Sequence, residues 1–367
     1  MAQVFPAAFA AAACPRSLPI WLLALLLAGA VASGRAEAGG PVRPDLRYGP
    51  IPTTISPEAQ AVLKSATARA GTPAGGITAA GVQAYRLQEA KTLQPYTDAL
   101  REQWTASVEK SEIGGVPVQV VTPRKLLSED RAGIYLHGGA YVLGAPFTKI
   151  PAVLASELGM RVYCVDYRLA PENPFPAGLE DALAVFRSLL ARFGPGRLVV
   201  FGDSAGGGLA LATLLNAGEL GLAMPAAVAL ISPWCDLTRS GDSFDTLGGW
   251  DPLLQYYELD LAEAARVYAG GRDLKSPLLS PLYAESWKGF PPVLISTGTR
   301  DLLQSLAARL RRELARGGVD VRLNLWEGMW HVFEAYPVPE ADESLKEVAA
   351  FLRVRMATGG SAISSKK

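Results

Sequence analysis

Short apolar runs alternate with longer helical patterns from Val116 to Phe351, and this rhythm constrains the fold more than any other feature of the chain. Each run is too short for a typical helix, whereas apolar residues recur at helical spacing in most of the segments between the runs. Strands that are connected by helices pair in parallel, because a parallel pairing needs a crossover connection. The sequence therefore predicts an α/β fold with a mostly parallel central sheet and flanking helices.

The predicted elements can be placed along the chain. The predicted strands are Val116–Thr122, Gly133–Leu136, Arg161–Val165, Leu198–Phe201, Ala227–Ile231, Val293–Thr297 and Val321–Trp326. The helical patterns that follow most of them include Ala177–Arg192, Ala205–Asn216, Leu302–Arg316 and Ser344–Arg355. Upstream, Ser56 before Pro57 has the N-cap and first-turn chemistry of a helix start, and Tyr85–Arg101 carries a second helical pattern.

One connection, from Ser232 to Pro292, is far longer than a usual crossover. Such insertions commonly form a lid or a pocket wall, and this one is rich in aromatic residues. We predict that its residues 236–290 and the N-terminal helices form a helical cap over an apolar site at the carboxyl edge of the sheet. Tyr141, Trp234 and Trp250 are the predicted walls of the substrate pocket.

The N-terminus has the layout of a secretory signal peptide. Arg16 precedes the apolar run Leu18–Ala32, and small residues follow in the pattern Ala36-Glu37-Ala38. The run is shorter than the roughly 20 residues of a spanning helix, so we expect export to the periplasm or the medium, with an uncleaved membrane anchor as the alternative. The predicted divisions are 1–38, signal peptide; 39–110, leader and cap helices; 111–357, catalytic domain with the insertion; and 358–367, flexible tail.

Charge and cysteine content limit the partners. Lys+Arg and Asp+Glu both count 35, so no global field would hold nucleic acid or an anionic membrane. We expect a small neutral substrate, no nucleic acid and no stable membrane partner, and the sequence leaves the oligomeric state open. We place Cys164 and Cys235 on two strands that are not neighbours in the sheet, so both are expected to be free and buried. With only two histidines, no metal or other cofactor is expected.

The segment Gly202-Asp203-Ser204-Ala205-Gly206 lies between a predicted strand and the helix that begins at Ala205. A G-x-S-x-G sequence is typical of a nucleophile elbow, in which the serine occupies a sharp, strained strand-to-helix turn. The helix N-terminus then favours negative charge that develops at the serine. The string alone also fits an ordinary glycine-rich turn, but its position favours an elbow with Ser204 as nucleophile.

The segment His137-Gly138-Gly139-Ala140 directly follows the strand Gly133–Leu136. Acyl transfer passes through a tetrahedral oxyanion, which backbone amides stabilise when they already point at it. The glycines allow the amides of Gly138 and Gly139 to approach the oxygen that the Ala205 amide also addresses. The alternative is a tight turn that merely leaves a buried strand.

His331 is the candidate base, since the other histidine, His137, lies in the glycine loop. The candidate acid is Asp301, which follows the strand Val293–Thr297. Serine, acid and base would thus each follow a parallel strand, where such sheets place their sites. The competing acids are Asp236 and Asp251, which lie in the insertion, and Asp320, which precedes a strand and lies at the wrong edge.

Five segments together resemble the hormone-sensitive lipase family of α/β-hydrolases over about residues 110–355. They are His137-Gly138-Gly139-Ala140, Asp166-Tyr167-Arg168-Leu169-Ala170-Pro171-Glu172, Gly202-Asp203-Ser204-Ala205-Gly206-Gly207, Ser232-Pro233-Trp234 and Gly328-Met329-Trp330-His331. The resemblance is strongest to bacterial acetyl-ester and terpenoid-lactone hydrolases. It implies an α/β-hydrolase fold and a carboxylesterase for short to medium acyl chains. Ala140 and Ser305 depart from the family pattern, which often has a third glycine and a second acid there.

The predicted function is hydrolysis of a carboxylic ester through a Ser204–His331–Asp301 triad and a covalent acyl-enzyme. A lactone hydrolase would use the same residues and differ only in the shape of its pocket. Amide or peptide hydrolysis, or a lyase that reuses the oxyanion site, would also fit the constellation. A non-catalytic ligand-binding protein on a hydrolase scaffold is the alternative from a different class.

Overall fold

A computed structural model of the protein describes residues 49–66 and 78–361. The predicted signal peptide lies outside these residues, as does the end of the predicted tail. Within the described ranges, no helix is both long and apolar enough to cross a membrane.

The core of the molecule is an eight-stranded sheet in the order β1-β2-β4-β3-β5-β6-β7-β8. Its strands are β1 Thr105–Ile113, β2 Val116–Pro123, β3 Ser128–Leu136, β4 Met160–Val165, β5 Leu198–Asp203, β6 Ala227–Ile231, β7 Val293–Gly298 and β8 Val321–Trp326. The pairings of β2 with β1 and β4 are antiparallel, and all the others are parallel. The prediction of a mostly parallel α/β sheet with flanking helices is confirmed.

The helices lie on both faces of the sheet, at the N-terminus and in the insertion between β6 and β7. They are α1 Pro57–Ser65, α2 Ala79–Trp104, α3 Lys149–Leu158, α4 Ala177–Phe193, α5 Ala205–Glu219, α6 Ser243–Thr246, α7 Tyr257–Asp260, α8 Ala262–Ala269, α9 Gln304–Arg316 and α10 Pro339–Ser361. Apolar residues of α4, α5 and α9 pack on one face of the sheet. Those of α3 and α10 pack on the other face. Two separate cores therefore hold the sheet from both sides, as expected of a parallel sheet.

All seven predicted strands are present, but the sequence reasoning missed β1. Its residues Thr105–Ile113 are mostly polar and exposed, so no apolar run marks the strand. The sheet consequently begins before the predicted domain boundary at residue 110. At the other end of the chain, α10 continues to Ser361, so the predicted flexible tail is helical over its first residues.

The two N-terminal helices pack against different parts of the α/β domain. Helix α1 has the predicted N-cap, in which the Ser56 side chain accepts a hydrogen bond from the Ala59 amide. Its buried face contacts Trp330 and Phe333, on either side of the candidate base. Helix α2 lies along α3 and β1. The N-terminal segment therefore braces the segment that carries His331.

Both cysteines of the described chain are free and buried, as predicted. Cys164 lies on β4, which is separated from β6 by two strands. The assignment of Cys235 to a strand was wrong, since it lies in the loop after β6.

Candidate active site

Ser204 lies in a strained turn between β5 and α5. Its φ of 51° and ψ of −120° are unusual for a residue with a side chain, and such strain is characteristic of functional turns. The Ser204 amide donates to the carbonyl of Ile231, and its carbonyl accepts from the Trp234 amide. These bonds tie the turn to the end of β6, so the neighbouring strand supports the conformation that presents the serine hydroxyl.

Gly206 shows why the turn requires glycine. A Cβ atom at this position would lie 2.0 Å from the Leu136 carbonyl oxygen and 2.5 Å from that of His137. Both distances are far below van der Waals contact, and both neighbours are backbone atoms that cannot move aside cheaply. The close approach places the start of α5 directly against the end of β3, from which the glycine loop departs.

The structure brings Ser204, His331 and Asp301 together in one hydrogen-bonded chain. His331 Nε2 lies 2.9 Å from Ser204 Oγ, and His331 Nδ1 lies 3.0 Å from Asp301 Oδ1. Because an ionised carboxylate only accepts, Nδ1 carries the ring proton, which leaves Nε2 free to accept from the serine hydroxyl. Ser204 is 6% exposed, His331 2% and Asp301 0%. The relay is therefore shielded from solvent.

The surroundings of Asp301 hold its carboxylate in place. Thr297 donates to Oδ2 at 2.7 Å, and the Leu303 amide donates to Oδ1 at 2.8 Å. Burial raises the pKa of Asp301, but the adjacent imidazole, the Ser232 hydroxyl and the Leu303 amide outweigh burial and leave it below its ordinary value. Asp301 is therefore ionised across the neutral pH range and can stabilise a positive charge on His331.

The electrostatic balance at His331 favours proton uptake. Burial alone would lower the pKa of the ring, but the carboxylates of Asp301, Asp251 and Asp203 outweigh it and raise the pKa above 6.5. The other histidine behaves in the opposite way, since burial lowers the pKa of His137 to about 4. His137 is thus a neutral residue, as expected for a structural member of the glycine loop.

The glycine loop lies beside the nucleophile turn, but one predicted oxyanion donor already has a partner. The Gly138 amide donates to Asp203 Oδ1 at 3.2 Å, and Tyr135 donates to the same oxygen at 2.6 Å. Within the described residues, the amides of Gly139 and Ala205 make no such bond. The resting structure therefore leaves two of the three predicted donors available.

Two further positions of the loop show how it is held. Ala140, which stands where a third glycine was expected, has a φ of 53° and so adopts the left-handed conformation despite its side chain. Tyr167 donates to the His137 carbonyl at 2.6 Å and stacks on the His137 ring. Through Tyr167, the segment Asp166–Glu172 thus supports the glycine loop.

The three predicted pocket walls differ in their exposure. Trp234 is fully buried and packs beneath the Tyr141 ring, so it belongs to the hydrophobic core rather than to an open wall. Tyr141 is 2% exposed and stacks on Tyr268 at 3.7 Å between ring centroids. Trp250 is partly exposed and packs against the guanidinium of Arg300. The sequence showed that these residues are aromatic, but it did not show which of them face inward.

Of the three competing acids, one lies at the site. Asp320 is paired with Arg355, and Asp236 is paired with Arg309, away from the triad. Asp251 is fully buried, and its carboxylate accepts hydrogen bonds from the backbone amides of Leu302 and His331. Sequence reasoning set Asp251 aside because it lies in the insertion. Only the fold brings it next to the triad.

The fold and the site together define an α/β-hydrolase with a serine at its nucleophile turn. The family model described as the alpha/beta hydrolase fold matches residues 133–335. An acetyl-hydrolase from Streptomyces hygroscopicus is 37% identical over 252 residues, which are 67% of this chain and 83% of the relative.

Solved structures show the same likeness. The crystal structure of esterase E25 matches this structure with a TM-score of 0.76 at 32% sequence identity. The match covers 88% of this chain and 98% of the E25 chain. An esterase from the bacterial hormone-sensitive lipase family has a TM-score of 0.69 at 33% identity, with coverages of 80% and 94%. The chain belongs to the α/β-hydrolase fold family, and within it to the hormone-sensitive lipase family.

Proposed function

We propose that the protein is a serine carboxylesterase for small neutral esters with short to medium acyl chains. The observation that carries the proposal is the hydrogen-bonded triad: His331 Nε2 lies 2.9 Å from Ser204 Oγ, and His331 Nδ1 lies 3.0 Å from Asp301 Oδ1. Its members are buried, and the nucleophile stands at a helix N-terminus. The esterase and acetyl-hydrolase names of the relatives support the same chemistry.

In acylation, Ser204 is the nucleophile and His331 first accepts and then returns the proton. Ser204 Oγ attacks the ester carbonyl carbon while its proton passes to His331 Nε2, and the carbonyl oxygen becomes an oxyanion. Asp301 stabilises the imidazolium that forms. The tetrahedral intermediate then collapses as the bond to the alkoxy oxygen breaks, and His331 returns the proton to the departing alcohol.

Deacylation repeats these steps with water in the place of the serine. His331 removes a proton from water, the resulting hydroxide attacks the acyl carbon, and the bond to Ser204 Oγ breaks as that oxygen is reprotonated. The amides of Gly139 and Ala205 are the available donors for the oxyanion in both steps, and each such donor is worth about 3 kcal/mol. No cofactor is needed to balance either half-reaction.

The direct test is release of p-nitrophenol from acetate, butyrate and octanoate esters by the mature protein. Ser204→Ala should abolish turnover. Ser188→Ala is the matched control, because the Ser188 hydroxyl donates to the Ala184 carbonyl within α4 and no bond among the described residues connects it to the triad. The same variants should differ in covalent labelling by a fluorophosphonate, which reports the reactivity of the serine independently of the ester.

The outcomes separate the alternatives. Turnover that survives in Ser204→Ala would overturn the proposed nucleophile. Labelling of Ser204 without turnover of any of the three esters would favour a lactone substrate, which lactone opening monitored by pH-stat would then reveal. A folded protein that neither labels nor turns over would move the assignment to a ligand-binding role on the hydrolase scaffold.

We also propose that the protein is exported. The support is the sequence alone, namely Arg16, the apolar run Leu18–Ala32 and the small residues that follow it. Expression of the full chain, fractionation and N-terminal sequencing test this. A mature N-terminus between residues 32 and 39 in the soluble exported fraction is expected, whereas an intact N-terminus in the membrane fraction would indicate an anchor.

A further inference from the structure

Asp251 bridges the cap insertion and both loops that carry the acid and the base. Its Oδ2 accepts from the Leu302 amide at 3.0 Å and from the His331 amide at 3.1 Å. Leu302 directly follows Asp301, so a single oxygen holds the backbone beside the acid and the backbone of the base itself. These bonds fix the distance between the two loops at the point where the relay forms.

The second oxygen of Asp251 holds its own turn. Oδ1 accepts from the amides of Leu253 and Leu254, at 2.8 Å and 3.0 Å. Among the described residues, the carboxylate thus has four partners, all of them backbone N–H donors, and such donors favour the ionised form. Because Asp251 is 0% exposed, no bulk water is available to replace any of them.

Other contacts connect the same part of the insertion to the acid-bearing segment. Ser243 Oγ lies 2.8 Å from Ser305 Oγ and donates to the Leu302 carbonyl at 2.6 Å. The Trp250 ring packs on Arg300, the residue before the acid. The insertion thus contacts the acid-bearing segment at three positions within six residues, and Asp251 supplies the carboxylate among the contacting groups named here.

We propose that Asp251 is a positioning residue for the reaction: from the insertion it holds the backbone of His331 and of the acid-bearing segment in register, so the packing of the insertion controls the triad. This inference rests on the proposed esterase function. Asp251 acts through the backbone of His331 and through its charge, and it does not touch the nucleophile.

The charge part of the proposal depends on every group that faces the ring. Asp301 contacts Nδ1, while Asp251 and Asp203 act at longer range, and all three raise the pKa of His331 against the effect of burial. Around Asp251, burial and the neighbouring Asp301 raise its pKa to about 7, and the His331 ring opposes them. Arg300 is the nearby cation. Asp251 is therefore increasingly ionised above about pH 7, and removal of its charge there should make His331 less basic.

Asp251→Asn tests the proposal. Asparagine keeps the shape but only one oxygen, so it can serve either the triad loops or its own turn. Some of the four buried amides would then lose their acceptor, and the backbone beside the acid and the base would shift. We therefore expect kcat to fall by about ten-fold or more while KM changes little. We also expect the acid limb of the kcat/KM profile to move to lower pH by roughly 0.5 to 1 unit, less than for a directly contacting carboxylate.

Asp236→Asn is the matched control. Asp236 is an equally buried carboxylate of the same insertion, and its partners are Thr238, Ser240, Tyr283 and Arg309 rather than triad loops. It should lower thermal stability without moving the acid limb. If the two variants lose activity only in proportion to stability and keep the wild-type limb, Asp251 is a structural brace and the proposal fails.

Histidine ring NMR gives a readout that does not need turnover. The chain has two histidines, and burial lowers the pKa of His137 to about 4, so the signals that titrate near neutrality belong to His331. Their midpoint should fall in Asp251→Asn and stay in Asp236→Asn. Should Asp251→Asn fail to fold, Asp251→Glu keeps the charge and both oxygens. Its midpoint should then match the wild type, and a displaced midpoint would contradict the proposal.

The experiment separates failure of this inference from failure of the proposed function. A wild-type enzyme that does not label or turn over esters refutes the esterase. If the wild type is active and the midpoint of the His331 titration is the same in Asp251→Asn, only the positioning role is refuted.

Discussion

Glu334 is a buried carboxyl group that the proposed chemistry does not use, and its neutralisation should stabilise the protein at alkaline pH. The side chain is 0% exposed, and its Oε1 accepts from Ser296 at 2.7 Å and from Ser344 at 2.9 Å. Its Oε2 has no hydrogen-bond partner among the described residues. The perturbation is Glu334→Gln, which keeps the shape and one accepting oxygen but cannot ionise.

The magnitude follows from the pKa. Burial, assisted by the charge of Asp301, raises the pKa of Glu334 from 4.5 to about 7, although the two serines oppose the shift. Because the folded pKa is raised, glutamate and glutamine are equivalent below about pH 4.5, and glutamate becomes unfavourable as the pH rises through the folded value. A shift of that size corresponds to about 3 kcal/mol, since each pKa unit is 1.36 kcal/mol.

The assay is urea denaturation of the wild type and the variant at about pH 5 and about pH 8.5, on the two sides of the transition. The variant should gain about 3 kcal/mol in free energy of unfolding at the higher pH and about 0.8 kcal/mol at the lower, where the unfolded glutamate is already largely ionised. Glu285→Gln is the control, because Glu285 is exposed and the same substitution there should change little at either pH. A gain in Glu334→Gln that is equal at both pH values would refute the argument, since it could not come from ionisation.

Three further predictions concern the site and its support. The kcat/KM profile should rise with pH through a limb whose midpoint lies above 6.5, because His331 must be neutral to accept the serine proton; a limb well below that value would contradict the charge balance. Tyr135→Phe should cost about 1–3 kcal/mol in free energy of unfolding, measured by urea denaturation, because Asp203 loses a buried 2.6 Å hydrogen bond. Burial raises the pKa of the thiols of Cys164 and Cys235, so maleimide should modify them only after denaturation, as mass spectrometry of the folded and unfolded protein would show.

The sequence predicted the parts of the fold that local chemistry determines. The strand Leu198–Phe201 followed by glycines and a helical pattern was sufficient to place Ser204 at a strand-to-helix turn. The scarcity of histidine pointed to His331, and the order of strands pointed to Asp301. Each inference needed only residue type, periodicity and the rule that parallel strands present their carboxyl ends at one edge.

The features that the sequence reasoning missed depend on contacts between distant segments. Strand β1 is recognisable only through its pairing with β2, because its own residues are polar and exposed. Asp251 is 80 residues from the His331 amide that it binds. Trp234 and Trp250 are chemically alike, yet one is core and the other is partly exposed, which depends on how the insertion folds back.

The Asp203 carboxylate holds the glycine loop in position beside the nucleophile turn. Its Oδ1 accepts both the Tyr135 hydroxyl and the Gly138 amide, and a Cβ at Gly138 would lie 2.3 Å from its other oxygen. The carboxylate lies one residue before the nucleophile, so it ties the glycine loop to the nucleophile turn. An amide that donates to a buried carboxylate is a weaker donor to a developing oxyanion, because its hydrogen is already directed elsewhere. We therefore expect Gly139 and Ala205 to supply most of the oxyanion stabilisation, with Gly138 acting chiefly as the anchor that aims the next amide.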